Sequence, residues 1–339
     1  MKILAIETSC DETSAAVTEN GRKILSNVIS SQIPIHAKFN GVVPELASRA
    51  HIRNVNVVIE SALKQAKINF NNFSDNIDYI CCTYGPGLAG SLLVGIMAAK
   101  TLSYIYNKPL VGVNHIEGHM FSAVIENKSL KPPFLSVIIS GGHTELVIVD
   151  DYGKYQFLGG TRDDACGEAF DKVAKILGLS YPGGPVIDKL ADLGNPKAVN
   201  FTRPLLKGSW DFSFSGIKTA VLNYSKKADI NNKQVVNDIC AGFRQAVSET
   251  LVYKAFEAVD KYSLTSVALG GGVSCNSLIR KMFKERAAKN KVKIFIPSPV
   301  FCTDNAAMIA AAAYYKISNK SYKINNQISP KPSLGLENW

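Results

Sequence analysis

An internal duplication constrains this fold more than any other feature of the sequence. Two short apolar runs, an Asn-Gly turn at 20–21 and a third apolar run predict a three-stranded β-meander at the start of the 339-residue chain. The pattern then restarts, because Leu4 corresponds to Leu135 and Thr13 to Thr144, each 131 positions later. A repeat at a nearly fixed offset predicts two copies of one fold.

After each meander, helical and strand patterns alternate, which predicts an α/β fold with a β-β-β-α-β-α unit repeated twice. We expect one lobe at 1–130 and a second at 131–339, with a Gly/Pro-rich insertion near 180–215 and a last helix able to pack back on the first lobe. Two such lobes around a cleft are the layout of the superfamily of actin-like ATPases, sugar kinases and Hsp70. This likeness concerns the fold and leaves the reaction open.

Composition excludes several classes of protein. The chain is 46% apolar, as expected of a globular protein with sizeable cores. Seven scattered cysteines without CxxC spacing argue against a disulfide scaffold or a four-thiolate zinc site and favour a reducing compartment. The first residues lack the features of a signal or transit peptide, so we expect a cytoplasmic location. The longest uncharged stretch, Tyr79–Ala99, contains Gly-Pro-Gly and is predicted to form a buried strand, turn and helix rather than a membrane span.

Two histidines at helical spacing indicate a metal site. His115 and His119 stand four residues apart, so on a helix both imidazoles lie on one face, at the distance that one divalent ion requires. Asp304, at the predicted start of an Ala-rich helix, is the best candidate for a third ligand. The alternatives are a pair of histidines satisfied within the core, and an Asp304 that simply caps its helix.

The histidine spacing also raises the possibility of a metalloprotease. Metalloprotease helices place a glutamate directly after the first histidine or directly before the second. Here Glu117 is two residues after His115, about 200° around the helix, so we expect it to point away from the metal. The sequence therefore provides a poorly placed base for a zinc-bound water.

Three polar turns follow predicted strands and are candidates for anion binding. The turn at 140–144 and the triple-glycine turn at 270–272 can direct backbone N–H groups at a phosphate, although tight hairpins without a ligand look the same. Asn276 lies one turn into the following helix. Asp11 and Glu12 occupy the corresponding turn of the first repeat and would face phosphates or a metal.

Together these motifs closely resemble the TsaD family, older names YgjD and Gcp, whose archaeal and eukaryotic relatives are the catalytic subunit of the KEOPS complex. The resemblance covers about residues 2–315. It is carried by IETSCDETS (6–14), GVVPELASRAH (41–51), TYGPGLAGSLLVG (83–95), NHIEGH (114–119), SGGHTEL (140–146), DDACGEAFDKVAKILGLSYPGGP (163–185), FSFSGIKTAV (212–221), GGGVSCN (270–276) and CTDNAAMI (302–309). The family's usual Tyr-Gly-Gly is replaced by Phe-Asn-Gly at 39–41, where Asn tolerates the left-handed turn.

The resemblance implies an activity and a set of site residues. The family transfers the threonylcarbamoyl group of threonylcarbamoyl-AMP to N6 of adenosine 37 in tRNAs that read codons starting with A, which yields t6A and AMP. His115, His119 and Asp304 would bind one divalent ion, Fe²⁺ in the first place or Zn²⁺, and Asp11 or Glu12 would act on the amine. The nucleotide would be bound by Ile138, Ile139, Ser140, Gly141, Gly142, Asp171, Gly184, Asp188 and Asn276.

The resemblance also implies partners. Bacterial members act with a paralogue, TsaB, and an ATPase, TsaE, and the apolar helices 44–67 and 88–106 are expected to form the paralogue interface or else part of the core. The net charge of +10 suits tRNA phosphates, with Lys218, Arg244, Arg280 and Lys281 as candidate contacts. The polar segment 317–339 is expected to be loosely held.

Three other functions stay open at this point. A metalloprotease is disfavoured by the phase of Glu117. In an ATP-driven kinase or Hsp70-like ATPase, a His-His-Asp metal set would be unusual. A nucleic-acid-binding protein without catalytic activity would bind tRNA and transfer no acyl group.

Overall fold

The computed structural model describes residues 1–206, 208–319, 322 and 327–339. The chain forms two compact units. The first comprises Met1–Pro132, Asp151–Tyr155 and Thr303–Trp339, and the second comprises Pro133–Asp150 and Gln156–Cys302. The expected lobes, 1–130 and 131–339, refer to the sequence repeats and stay a prediction.

The first unit contains a five-stranded mixed sheet. Its elements in chain order are β1 (Lys2–Glu7), β2 (Glu12–Glu19), β3 (Lys23–Ser31), α1 (Ile33–His36), α2 (Pro44–Gln65), α3 (Phe73–Asn76), β4 (Tyr79–Gly85), α4 (Ala89–Tyr106), β5 (Leu110–Asn114) and α5 (His115–Glu126). The strand order is β3-β2-β1-β4-β5, with β1 antiparallel to β2 and parallel to β4. Asn20 and Gly21 both have positive φ, as the predicted Asn-Gly hairpin turn requires.

The second unit repeats this topology. It contains β6 (Phe134–Ile139), β7 (Thr144–Asp151), β8 (Lys154–Gly160), α6 (Cys166–Ile176), α7 (Gly183–Ala191), α8 (Ser215–Ser225), α9 (Lys233–Lys261), β9 (Ser266–Gly270), α10 (Ser277–Asn290), β10 (Lys293–Phe295) and α11 (Pro299–Cys302); α12 (Ala306–Ser318) then returns to the first unit. The strand order β8-β7-β6-β9-β10 matches that of the first sheet position by position. The predicted fold class and its duplication are confirmed.

The first sheet is buried on both faces because helices cover each side. Residues 3–6 of β1 are at most 1% exposed. Helix α2 packs on β2 and α4 on β4, while α12 contacts β1, β2 and α5. The buried face of α12 consists largely of alanines at 306, 307 and 310–313, whose small side chains allow the helix to approach the strands closely.

Helix α4 combines an apolar sequence with incomplete burial. By length and composition alone it could cross a membrane, yet only 28% of its residues are buried within the chain. The buried ones, such as Leu92 and Ile96, face the core. The turn before α2 forms as expected, because Asn40 takes the left-handed conformation with φ 52°.

The expectation of a loosely held C-terminal segment is wrong for its described residues. Lys331 N–H donates to the Tyr84 carbonyl over 2.8 Å, and Trp339 N–H donates to the Gly153 carbonyl over 3.0 Å. The side chain of Asn114 also donates to the Gly335 carbonyl over 2.8 Å. Polar and Pro-rich composition does not reveal such backbone pairing, which attaches residues 327–339 to the first unit.

Gly271 provides a test of the second unit, because it follows β9 with φ +85° and its added Cβ would lie 2.4 Å from the Ile139 carbonyl oxygen. We expect Gly271→Ala to lower the free energy of unfolding by at least ~2 kcal/mol, from left-handed strain and a backbone clash. Chemical denaturation measures this. In the matched control Gly141→Ala, a Cβ would meet nothing within 4 Å, and the change should stay within ~0.5 kcal/mol. If the two variants lowered the free energy of unfolding equally, the result would contradict the strained, closely packed position assigned to Gly271.

Candidate metal centre and nucleotide site

The two histidines stand at the start of α5, where the cap fixes their direction. Asn114 Oδ1 accepts a hydrogen bond from Ile116 N–H over 2.8 Å, and Glu117 Oε2 accepts from Asn114 N–H over 3.4 Å, which completes a capping box. The rigid first turn places His115 and His119 on one face, with ring centroids 4.6 Å apart. The local sequence Asn-His-Ile-Glu therefore orients both imidazoles.

Asp304 lies against both histidines because its neighbour caps α12. The side chain of Asn305 accepts from Met308 N–H over 3.0 Å, so the predicted alternative of Asp304 as the cap does not hold. Asp304 Oδ1 is 3.6 Å from His115 Nε2 and 3.3 Å from His119 Nε2. All three predicted ligands thus converge, although Asp304 is far from the histidines in sequence.

The geometry and chemistry of this cluster fit a divalent ion. Its candidate ligand atoms lie within 4.8 Å of one another. An ion with ligand distances of about 2.0–2.2 Å in tetrahedral geometry separates its ligands by about 3.4 Å, close to the two observed nitrogen–oxygen distances. Three protein ligands leave room for a further ligand, as in catalytic rather than structural sites.

His119 is suited to metal binding by its burial. Its side chain is fully buried, and apart from the 3.3 Å contact between Nε2 and Asp304 Oδ1, neither ring nitrogen has a polar partner among the described residues. Burial lowers the pKa of His119, with the nearby Asp304 opposing this shift. The imidazole is therefore neutral near pH 7, the form that binds metals, so its protonation state and its burial are compatible with a metal-ligand role.

Glu7 contacts Nδ1 of His115, the ring nitrogen other than the one near Asp304. The sequence did not reveal Glu7 as a residue of the site. Its carboxylate is buried at the end of β1, with Oε2 at 3.3 Å from His115 Nδ1. Ser9 Oγ is 3.1 Å from the same nitrogen, and Thr83 Oγ1 donates to Glu7 Oε2. A carboxylate at Nδ1 holds the proton there and directs the Nε2 lone pair towards Asp304. The sequence signal that could have identified Glu7 is an acidic residue at the end of the first apolar run.

Of the predicted catalytic carboxylates, Asp11 lies in the turn between β1 and β2 in the first unit and Glu12 is the first residue of β2. Both are half-buried, and Glu12 Oε1 accepts a hydrogen bond from Ser31 Oγ over 3.1 Å. Burial, followed by the nearby charges of Asp11 and Asp304, raises the pKa of Glu12 to about 10. Several carboxylates therefore share one small region with the candidate metal ligands.

Glu117 points away from the histidines, as predicted. Its carboxylate accepts from Trp339 Nε1 and lies 3.5 Å from Lys316 Nζ. The side chain is 1% exposed, so it holds α5 against α12 and the C-terminal segment. It has no access to a water on the metal face, which removes the base that a metalloprotease needs.

In the second unit, the predicted nucleotide residues lie on connected turns at the N-termini of three helices. The turn after β6 is closed by Ser140 N–H donating to the His143 carbonyl over 2.8 Å, and Gly167, at the start of α6, donates to the Ser140 carbonyl over 3.1 Å. Ile138 and Ile139 are the buried last residues of β6. Gly141 has open space beside it, as does the neighbouring glycine at 142. Such exposed glycine amides suit an anion.

The predicted acidic residues complete this set of turns. Asp171 Oδ1, on α6, accepts from Gly183 N–H over 2.7 Å at the start of α7, where Gly184 follows with open space. Asp188, on α7, accepts from the N–H of Ser277 over 2.9 Å. The structure therefore brings the predicted nucleotide residues into one connected group.

Asn276 and Asp188 meet at the start of α10. Asn276 Oδ1 caps this helix by accepting from Ile279 N–H over 3.1 Å. Arg244, on α9, is buried and donates to Asp188 Oδ1 over 2.7 Å. The guanidinium also pairs with Asp192 at 2.8 Å. Arg244 thus fixes the Asp188 carboxylate.

Three of the four residues that were expected to contact tRNA form ion pairs or hydrogen bonds within the protein. The expectation for Arg244 is wrong, because its charge is buried in these ion pairs. Arg280 is half-buried and donates to the carbonyls of Ser274 and Pro297, and Lys218 pairs with Asp164 at 2.6 Å. Lys281 alone among the four is exposed without a partner in the described chain.

The duplicated α/β sheets define a protein of the actin-like fold class, and the His-His-Asp cluster gives it a candidate metal centre. Residues 23–311 match the family described as TsaD: tRNA N6-adenosine threonylcarbamoyltransferase. The chain belongs to this family of transferases, and the resemblance inferred from its motifs is confirmed.

Relatives with that name are similar along the whole chain. The protein from Endomicrobium trichonymphae is 65% identical over 340 residues, covering 100% of this chain and 99% of the relative. The protein from Clostridium kluyveri is 52% identical over 343 residues, with 99% and 98% covered. The protein from Clostridioides difficile is 54% identical over 318 residues, with 93% of each covered.

Solved structures of low identity share the fold. Full-length HypF, in its phosphate- and nucleotide-bound form, aligns with a TM-score of 0.64 at 15% identity, over 95% of this chain and 56% of HypF. Component A of the Acidaminococcus fermentans (R)-2-hydroxyglutaryl-CoA dehydratase aligns with a TM-score of 0.55 at 14% identity, over 94% of this chain and all of that protein. These likenesses establish the architecture alone.

The contact between Glu7 and His115 generates a prediction about metal affinity. Glu7→Gln should weaken binding of Zn²⁺ or Fe²⁺ by about 10-fold or more, because the amide is a weaker acceptor for the Nδ1 proton. Competition with a chromophoric chelator measures this without any activity assay. The control is Glu60→Gln, an exposed acid on α2. An affinity equal to that of the control would show that Glu7 does not organise the ligand.

Proposed function

We propose that this chain transfers the threonylcarbamoyl group from threonylcarbamoyl-AMP to N6 of adenosine 37 in tRNAs that read codons starting with A. The adenine N6 forms a bond to the carbamoyl carbon and loses a proton, while the bond from that carbon to the phosphate oxygen breaks and AMP leaves with the electron pair. Family membership supports the reaction class. The convergence of His115, His119 and Asp304 is the observation that carries the proposal.

The metal centre would be held by those three side chains. Two imidazoles and one carboxylate with open positions are a ligand set typical of Fe²⁺ and also acceptable to Zn²⁺, so we propose one such ion per chain, Fe²⁺ first. When bound, a divalent ion supplies Lewis-acid polarisation of an oxygen of the acyl donor. Glu7 would keep His115 in the tautomer whose Nε2 carries the lone pair.

The turns of the second unit would bind the adenylate. The amides around Gly141 and Gly142 would receive its phosphate and stabilise the charge on departing AMP. Asp171 and Asp188 would contact the ribose, because carboxylates accept hydrogen bonds from hydroxyl groups. Ile138, Ile139, Ser140, Gly184 and Asn276 would shape the same site.

The amine of adenine is a poor nucleophile because its lone pair is delocalised into the ring. Catalysis must therefore depend on positioning and on stabilisation of developing charge. We propose that Asp11 or Glu12 orients the amine and accepts its proton, because both lie with the candidate metal ligands in the first unit. The raised pKa of Glu12 means that this carboxyl must lose its own proton before it can act as the base. A tRNA substrate would place the reaction in the cytoplasm.

The decisive experiment is mass analysis of tRNA nucleosides. The chain, loaded with metal, is incubated with tRNA, threonine, bicarbonate, ATP, the synthetase that makes the acyl-adenylate and the partner proteins. We expect t6A with the natural chain and a loss of at least 100-fold with His115→Ala, because a ligand and its charge stabilisation are removed.

Two controls make this result specific. Circular dichroism must show that His115→Ala remains folded. The same check of folding applies to Glu117→Gln, because this change leaves the buried Lys316 without its carboxylate partner. Folded Glu117→Gln should retain transfer, since Glu117 faces away from the histidines; a metalloprotease would instead lose its base in this variant. Normal t6A from folded His115→Ala would contradict the proposed metal role.

The exposed apolar surface of α2 and α4 supports a protein partner. Six large apolar side chains on these helices are 48–89% exposed: Ile52, Val57, Leu93, Met97, Tyr104 and Ile105. A surface of this kind marks an interaction site. We propose that it binds the TsaB paralogue, as the resemblance implies, and that TsaE acts with the resulting pair.

A charged substitution on this surface should separate partner binding from folding. The double variant Leu93→Asp/Met97→Asp places two carboxylates four residues apart on the exposed face of α4. We expect binding of the purified paralogue to weaken at least 10-fold, measured by analytical ultracentrifugation, with unchanged unfolding. The control is Lys64→Asp on α2. An unaffected complex would refute this interface, and binding of the natural chain to lipid vesicles would favour a membrane instead.

A further inference from the structure

The net positive charge of the chain is concentrated in one segment. Residues 277–293 carry seven basic residues and one acidic residue, a net charge of +6 within a chain whose total is +10. This segment comprises α10 and the start of β10. A single-sign field of this density raises the local concentration of an anionic partner.

Helix α10 separates its apolar and basic residues. Ile279, Phe283 and Ala287 are buried against the second unit. Lys281, Lys284 and Lys289 are exposed on the other side, and none makes an ion pair or hydrogen bond with any residue that the structure describes. We call these three lysines the α10 basic face.

The lysines of this face are not explained by local stability. Cations in the last turn of a helix are favoured by the helix dipole, which accounts for Lys289 but not for Lys281 and Lys284, which precede the last turn of α10. Lys293 is excluded from the face because it lies on the edge strand β10, where lysine commonly prevents strand pairing. Arg286 is excluded because its guanidinium lies over the ring of Phe256.

The α10 basic face belongs to the same helix as a predicted nucleotide residue. Asn276 caps α10, and Ser277 at its first position binds Asp188. Helix α10 has 14 residues and is therefore about 20 Å long. A polyanion lying along this face would reach the group of turns where the adenylate is proposed to bind.

We infer that Lys281, Lys284 and Lys289 form a docking surface for the phosphate backbone of the tRNA substrate. This inference rests on the proposed function. Lysine ammonium groups bind phosphates as point charges without reading bases, so the face would supply affinity and orientation that depend on salt but little on sequence. The α10 basic face takes the place of the tRNA contacts that were expected at Lys218, Arg244 and Arg280. The charges of those three residues form ion pairs or hydrogen bonds within the second unit.

A charge-matched pair of variants tests the inference. Lys281→Gln/Lys284→Gln/Lys289→Gln is compared with Lys226→Gln/Lys227→Gln/Lys233→Gln, three exposed lysines around the connection from α8 to α9. Each triple variant removes the same charge from the same unit. The affinity for tRNA is measured by fluorescence anisotropy at several salt concentrations, and kcat and KM for t6A formation are measured with the complete enzyme system.

We expect the α10 variant to bind tRNA about 10- to 100-fold more weakly at low salt, with the slope of log affinity against log salt reduced by about two to three. KM for tRNA should rise while kcat at saturating tRNA stays within about twofold, because the lysines bind substrate and do not touch the reacting atoms. The control variant should resemble the natural chain.

The possible failures can be told apart. If the natural chain forms t6A but both variants keep its salt slope, or lose it equally, the α10 basic face is refuted while the proposed function stands. If the natural chain forms no t6A yet binds tRNA with a slope that depends on the α10 lysines, the proposed function fails and the RNA surface is supported.

Discussion

The candidate metal centre depends on the close approach of α5 and α12. Gly118, between the two histidines, lies so near α12 that an added Cβ would be 2.7 Å from Ile309 Cδ1. Because Asp304 immediately precedes the capped start of α12, this approach brings its carboxylate to His119. The sheet supports both helices, since α12 also packs on β1 and β2. The geometry of the ligands is thus a consequence of helix packing.

Electrostatics and packing act together around this site. Glu7, Glu12 and Asp304 place several carboxylates in one partly buried region, and the proximity of Asp11 and Asp304 adds to burial in raising the pKa of Glu12. Because burial lowers the pKa of His119, its neutral imidazole offsets none of the negative charge of the nearby carboxylates. A divalent cation would offset the negative charge of the nearby carboxylates. This is a physical reason for a cation at this set of donors, in addition to the number of ligands. Buried carboxylates without such compensation would destabilise the fold.

Local sequence patterns predicted much of this structure, and distant contacts were the source of the errors. The hairpin at Asn20 and the spacing of His115 and His119 are set within a few residues, so the sequence revealed them. Glu7 was missed because its role arises only when β1 and α5 meet. Arg244 was taken for a surface residue, since nothing within α9 shows that α7 covers its charge with Asp188 and Asp192. The position of Trp339 likewise depends on a partner far away in the chain.

Glu117 shows how one position along a helix separates two functions. In a metalloprotease helix the glutamate adjoins a histidine and faces the bound water; here it stands one position further on and faces the opposite side. There it completes the cap of α5 and binds Lys316 and Trp339, so its charge holds the metal-site helix in place. On α5 itself, therefore, no carboxylate is placed to act as the base for a metal-bound water, because Glu117 faces Lys316 and Trp339 instead.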